Sequence, residues 1–171
     1  MKNTTQQYQA LLFDSKELYD RILNYFDVQE LVTPWAYAKF KQRGDYFFLS
    51  RIDPRLLITI LFIRETTGRK MTINTYKWGG RFDERGVRDN LSPLVMARKT
   101  AYWSGHVFAM AVDFDLEDMT ATQARAWLST HADELPFKIR LEHKLNGVSI
   151  SWVHLDVVDD PRLPKVYLFN V

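Results

Sequence analysis

The sequence predicts an α+β fold in one domain, a small antiparallel sheet with helices packed on it. Three observations carry that expectation. Helix start and stop signals bracket residues 14–26, 53–68 and 120–131, and β-type runs occupy residues 71–74, 107–114 and 138–157. The 171 residues are also enough for one hydrophobic core without help from disulfides or metals.

In the first helical segment, Asp14 stands three residues before Glu17, the spacing of a capping box, and Leu18, Ile22 and Tyr25 share one face. The second has Asp53 as N-cap, Pro54 at the first helical position, an apolar body of Leu56, Leu57, Ile60 and Leu61, and Gly68 as its stop. The third starts at Thr120, with Gln123 three residues on, and runs through Trp127 and Leu128. Within residues 138–157, Asn146-Gly147 tolerates positive φ and predicts a two-residue hairpin turn. No linker or repeat divides the chain, so residues 1–24 read as a helical extension, 25–158 as the core and 159–171 as a C-terminal tail.

Composition narrows the possible chemistry. Hydrophobic residues make up 46% and charged residues 26%, ordinary globular proportions that exclude disorder, while 14% aromatics imply a well-filled core or an aromatic-lined groove. With 23 Lys+Arg against 21 Asp+Glu, the net charge of +2 is too balanced for a nucleic-acid surface, though compatible with an anionic wall polymer. There is no cysteine, so a transition-metal site has to be built from His, Asp and Glu, and only four histidines are present. The opening MKNTTQQYQALLFD lacks a signal-peptide pattern. No apolar run approaches the ~18 residues a membrane span requires, residues 56–63 being broken by Thr59, so a soluble protein without membrane insertion is expected.

The segment SGHVFAMAVD sets His106 seven residues before Asp113 in an apolar stretch. A carboxylate buried among such neighbours is costly unless a cation compensates it. A seven-residue step puts the two on opposite faces of a regular strand, so they converge only if His106 lies in the entering loop. A second β-type run, SWVHLDV, carries His154 at its centre. Two imidazoles and a carboxylate leave zinc one open position for water, whose pKa falls to about 7. The ordinary alternative for such residues is a satisfied core histidine and a surface aspartate.

SGHVFAMAVD resembles the S-x-H-x-x-G-x-A-x-D motif of the D-alanyl-D-alanine carboxypeptidase family of zinc peptidases, with Ala109 where glycine is usual, and WVHLDV resembles that family's second histidine motif. Both occur in the right order, about 40 residues apart. The stretch RLLITILFIRETTGRKMTINTYKWGGRFDERGVR is similar to the helix, strand and arginine-bearing loop that precede the first motif, so the resemblance covers about residues 25–158. It implies one Zn2+ held by His106, Asp113 and His154, and D,D- or L,D-type cleavage of peptidoglycan stem peptides. Many family members come from phages, which implies an endolysin-like or virion-associated protein, found in the host cytoplasm before release or within the particle.

One position departs from the family pattern. Hydrolysing members carry an Asp or Glu three residues before the second histidine as general base, and here that position is Ser151. If Asn146-Gly147 forms the turn, Leu145 pairs with Val148, and counting back sets Glu142 opposite Ser151, where its carboxylate can fill the vacancy. Arg88 matches the family's substrate-binding arginine, with Arg85 and then Arg81 as the next candidates; the alternative is loop salt bridges to Asp83, Glu84 and Asp89. Ser104, Ser151 and Trp152 complete the expected substrate-binding set, and Trp78 and Trp103 also flank the motifs. His131 and His143 belong to no motif and read as capping or solvent-facing residues. The expectation is thus a zinc metallopeptidase whose partner is the peptidoglycan stem peptide. The alternative is a catalytically impaired relative serving as a wall-binding or virion structural module among other virion proteins.

Overall fold

A computed structural model describes residues 4–171. The α-helices in chain order are Thr4–Ala10 (α1), Ser15–Leu23 (α2), Val28–Leu31 (α3), Pro34–Phe40 (α4), Asp45–Leu49 (α5), Pro54–Thr67 (α6), Pro93–Met96 (α7) and Ala121–Thr130 (α8). The strands are Met71–Thr72 (β1), Ala111–Leu116 (β2), Ile139–Leu145 (β3), Val148–Asp156 (β4) and Val166–Asn170 (β5), in the sheet order β1-β2-β4-β3-β5. The fold is α+β, as expected. The sheet is mixed, however, because β5 runs parallel to β3 while the other neighbours are antiparallel. The expected antiparallel sheet is corrected by residues 159–171, which lack a strong alternation signal and yet supply this edge strand.

The capping signals explain the helix ends. Asp14 accepts from the Glu17 amide at 3.0 Å. Asp53 accepts from the Arg55 amide, Pro54 opens α6, and Gly68 closes it at φ 65, a left-handed conformation that glycine adopts without steric cost. Thr120 and Gln123 form a capping box on α8. Residues 56–63 of α6 are buried on every side, so this helix has no polar face and forms the middle of the core. Burial of each such Leu or Ile contributes about 1.5–3 kcal/mol. No helix of the described residues is long and apolar enough to cross a membrane.

Strand alternation divides the sheet into two chemically distinct faces. Val112, Phe114, Leu141, Val153 and Leu155 join the core cluster with α6. Their neighbours Asp113, Glu142, Trp152 and His154 therefore point to the opposite face, with His154 standing in register between Asp113 and Glu142. Glu142 pairs with His154 and not, as the hairpin count predicts, with Ser151. The turn itself forms as expected, with Asn146 at φ 51, Gly147 at φ 80 and Leu145 opposite Val148. The ladder then slips: two steps along β3 from Lys144 to Glu142 correspond to five along β4 from Ser149 to His154. Arg125 of α8, itself buried, occupies the slip by donating to the carbonyls of Trp152 at 3.0 Å and Ile150 at 3.2 Å.

The predicted strand at residues 107–114 begins only at Ala111. Residues before it form a tight turn because Ala109 takes φ 56 and the Met110 amide folds back to the Gly105 carbonyl. A side chain on Gly105 would come within 2.8 Å of the Ala111 Cβ and 3.3 Å of the Asp156 Cβ, so the turn packs directly on the sheet. Left-handed backbone costs an L-residue with a Cβ roughly 1–2 kcal/mol. Ala109→Gly is expected to stabilise the protein by about 1 kcal/mol, less what the lost methyl contributes, and to raise the urea midpoint at constant m-value; a lower midpoint would contradict the strained-turn reading.

Candidate metal centre

The turn, β2 and β4 each deliver one polar side chain to a single point. His106 lies in the turn ahead of β2, the placement that its spacing from Asp113 demands, and Asp113 and His154 are direct partners across β2 and β4. One donor atom from each of the three lies within 4.8 Å of the others, and a group so arranged can hold a metal ion. Specifically, His106 Nε2 is 3.2 Å from His154 Nδ1 and 3.3 Å from Asp113 Oδ1, and His154 Nδ1 is 2.8 Å from the same Oδ1. Tetrahedral zinc with N and O ligands at about 2.0–2.1 Å requires donor separations of about 3.3 Å. Two of the three distances already meet that requirement, and the donor set is chemically suited to the ion.

Neighbouring groups set which ring nitrogen faces the point of convergence. The Nδ1–H of His106 donates to the Gly86 carbonyl at 2.8 Å, leaving Nε2 with the free lone pair. That carbonyl is itself well anchored. Asn74 donates to the Val32 carbonyl and accepts from the Arg85 amide, the Val87 amide binds the Leu31 carbonyl, and a Cβ on Gly86 would stand 2.2 Å from Leu31 O. On the other imidazole, Nε2 faces Asp156 Oδ2 at 3.5 Å, and the Arg140 guanidinium grips both Asp156 oxygens at 2.8 and 3.0 Å. Asp156 thus presents Nδ1 of His154 to the site.

The electrostatics follow from burial and pairing. Burial pushes the His106 imidazole towards its neutral form. It also acts against the charge on His154, yet the hydrogen bonds to Asp113 and Asp156 prevail and raise that pKa to about 9. For Asp113, too, burial is outweighed, by His106 and His154, and the carboxylate stays ionised well below its ordinary range. Asp156 is held ionised in the same sense by His154 and Arg140 against its burial. Without an ion, His154 is therefore an imidazolium between two carboxylates.

A cavity of about 380 Å³ opens over these residues, and Glu142 and Ser104 are in its wall. Burial raises the Glu142 carboxyl pKa, with the charge of Asp113 adding to the effect and His154 and Arg88 opposing it. Ser104 shapes the turn, its hydroxyl accepting from the His106 amide at 3.3 Å. Phe169 of β5 meets the His154 ring edge-on at 6.0 Å, a contact the supposed tail provides. Arg88 approaches Asp113 Oδ2 at 3.3 Å, and its Nε donates to the Glu84 carbonyl at 2.8 Å, so it braces one of the three converging side chains. Arg85 pairs with Asp115 and lies over Phe82, away from the metal cavity; Arg81 stands over Phe82 on the same loop. Among the described residues, neither makes the alternative bridge to Asp83, Glu84 or Asp89. Ser151 lines an adjoining cavity together with Trp152, which borders both. Trp103 is 84% exposed at the cavity rim, against Phe108, whereas Trp78 lies in a separate hollow beside α3. His131 caps α8 against the Trp127 carbonyl.

Sequence reasoning missed Asp156, Arg140 and Gly86. Asp156 had a usable signal, since two residues after His154 on a strand is the same face. Gly86 had none, because its role is a carbonyl. No family model, curated protein or solved structure matches this chain.

Asp156→Asn is expected to weaken zinc binding by about 10–100-fold in a chelator competition assay, with the fold kept by circular dichroism; unchanged affinity would remove Asp156 from the site's support. Because His154 carries a proton up to about pH 9 and the ion needs that lone pair, metal affinity should rise with pH towards that value. The rise is about tenfold per pH unit, read by isothermal titration in buffers of differing ionisation enthalpy; a flat profile between pH 6 and 8 would contradict it.

Proposed function

We propose that this protein is a zinc-dependent peptidase that cleaves D-amino-acid-containing peptides of bacterial peptidoglycan. The observation that carries the reading is the convergence of His106, Asp113 and His154 within 4.8 Å, with the other nitrogen of each imidazole facing a second partner, the Gly86 carbonyl or the Asp156 carboxylate. The motif resemblance of SGHVFAMAVD and WVHLDV supplies the choice of substrate. When bound, zinc supplies Lewis acidity and brings the pKa of water to about 7.

The chain's own residues account for the remaining requirements. Glu142 is the base: it stands beside His154 across β3 and β4, and burial raises its pKa towards the working pH of a proton carrier. In the hydrolysis, the water oxygen bonds to the peptide carbonyl carbon while Glu142 takes the water's proton. Glu142 then returns that proton to the amide nitrogen as the C–N bond breaks, giving one new carboxylic acid, which keeps the water's second proton, and one new amine. Arg88 keeps Asp113 oriented, and the exposed Trp103 at the rim offers a flat apolar surface to the substrate. Ser151 takes no part in the proton transfer, because its position in the slipped stretch of β4 directs it to the neighbouring cavity.

The test is digestion of purified peptidoglycan by the zinc-loaded protein, with fragments identified by mass spectrometry. Peptide products that vanish with chelator are expected, and Glu142→Gln should lower kcat by about 10²–10⁴-fold at unchanged zinc content. A zinc-loaded protein that binds peptidoglycan and releases nothing would overturn the reading in favour of a wall-binding module.

A further inference from the structure

The wall of the metal cavity includes a tyrosine that is neither one of the three converging side chains nor the base. Tyr102 is half-buried there, beside Arg88, Arg98 and Ser104. One guanidinium ties it to the site: Arg88 Nη1 donates to the Tyr102 oxygen at 3.4 Å, while Nη2 reaches Asp113 Oδ2 at 3.3 Å. Strand order then fixes the side on which the phenol stands. His154 on β4 has Asp113 on β2 as one neighbour and Glu142 on β3 as the other. Arg88 and Tyr102 join from the Asp113 side, so the phenol and Glu142 flank His154 from opposite directions.

The groups around the phenol leave its own hydrogen free. Burial acts to raise the Tyr102 pKa, but the Ser104 hydrogen bond and the charges of Arg88 and Arg98 prevail and lower it. A hydrogen bond of that sense is one the phenol oxygen receives, because it favours the charged form. Ser104 Oγ is able to give it, since Oγ accepts from the His106 amide at 3.3 Å and keeps its own hydrogen to donate. Arg88 donates to the same phenol oxygen, and the Arg98 guanidinium lies over the ring at 4.5 Å. Among the described residues, no protein acceptor takes up the phenol hydrogen. An O–H whose oxygen already accepts from charged and polar donors is polarised and becomes a stronger donor itself.

When the water oxygen bonds to a peptide carbonyl carbon, the carbonyl oxygen gains negative charge, and a donor already in place stabilises that charge without reorganisation. Resting on the peptidase reading, we propose that Tyr102 is a further catalytic residue, whose phenol O–H donates a hydrogen bond to the carbonyl oxygen as it becomes negative, from the side opposite Glu142. The proton stays on Tyr102 throughout, so the bonds made and broken in the hydrolysis are unchanged.

The zinc-loaded parent, Tyr102→Phe and Arg98→Gln are compared on a peptidoglycan stem peptide and on its analogue with a phosphinate in place of the bond that the parent cuts. Tyr102→Phe removes only the hydroxyl, and kcat is expected to fall about 100-fold with KM and zinc content unchanged. Titration calorimetry, which needs no turnover, should show the tetrahedral phosphinate bound about 100-fold more weakly by this variant. Arg98→Gln should lose less on both counts. A Tyr102→Phe protein with parental kcat and phosphinate affinity, a loss confined to KM, or a loss that accompanies loss of zinc would overturn the role of Tyr102 and leave the peptidase reading standing. A larger loss in Arg98→Gln than in Tyr102→Phe would do the same. A zinc-loaded parent that cleaves no peptidoglycan peptide would overturn the peptidase reading, and the role of Tyr102 with it.

Discussion

Asp113 is a buried carboxylate on β2, and the surrounding structure is arranged around its charge. One oxygen meets His154 and His106, and the other meets Arg88. An ionised carboxylate removed from water is tolerated only with such compensation. The consequences extend outwards. His106 has to leave the strand to reach Asp113, which requires the tight turn and the left-handed Ala109, and Arg88 has to arrive on a loop pinned to α3 through Asn74 and Gly86. This surplus of supporting contacts suits a centre whose donors must stay in place with or without an ion.

The two faces of the sheet have separate tasks. The face against α6 is wholly apolar and supplies cohesion, while the other carries the ionisable groups. Period-two alternation means that a change of register by one residue would exchange these roles. The slip between β3 and β4 skips three residues, an odd number, and so requires local distortion to keep Glu142 and His154 on one face. Arg125 stabilises that distortion by occupying the carbonyls of Ile150 and Trp152. A cation on α8, far from the ligands in sequence, thereby sets the relation of the candidate base to the metal site.

Much of this was legible in the sequence where the signal is local. Caps at Asp14, Asp53 and Thr120, the stop at Gly68 and the turn at Asn146-Gly147 each involve atoms a few residues apart, and each formed at its place. The gathering of His106, Asp113 and His154 followed from two motifs, and the left-handed Ala109 stands where the motif usually has glycine. What escaped depends on long-range geometry. At the β4 slip the alternation of Ser149 to Trp152 breaks at Val153, but a break in period does not say how far the partner strand shifts. The parallel pairing of β5 relies on β3 as a template, and the Gly86 carbonyl is invisible to any reading of side chains.

We propose that one divalent ion is held by these three side chains and no others. X-ray absorption at the zinc edge, combined with anomalous diffraction from zinc-soaked crystals, measures it directly. One ion is expected, bound by His106 Nε2, a single Asp113 oxygen and His154 Nδ1 at about 2.0–2.2 Å. A zinc-saturated protein whose ion lies elsewhere, or whose His154 ligates through Nε2 with Asp156 displaced, would contradict the account.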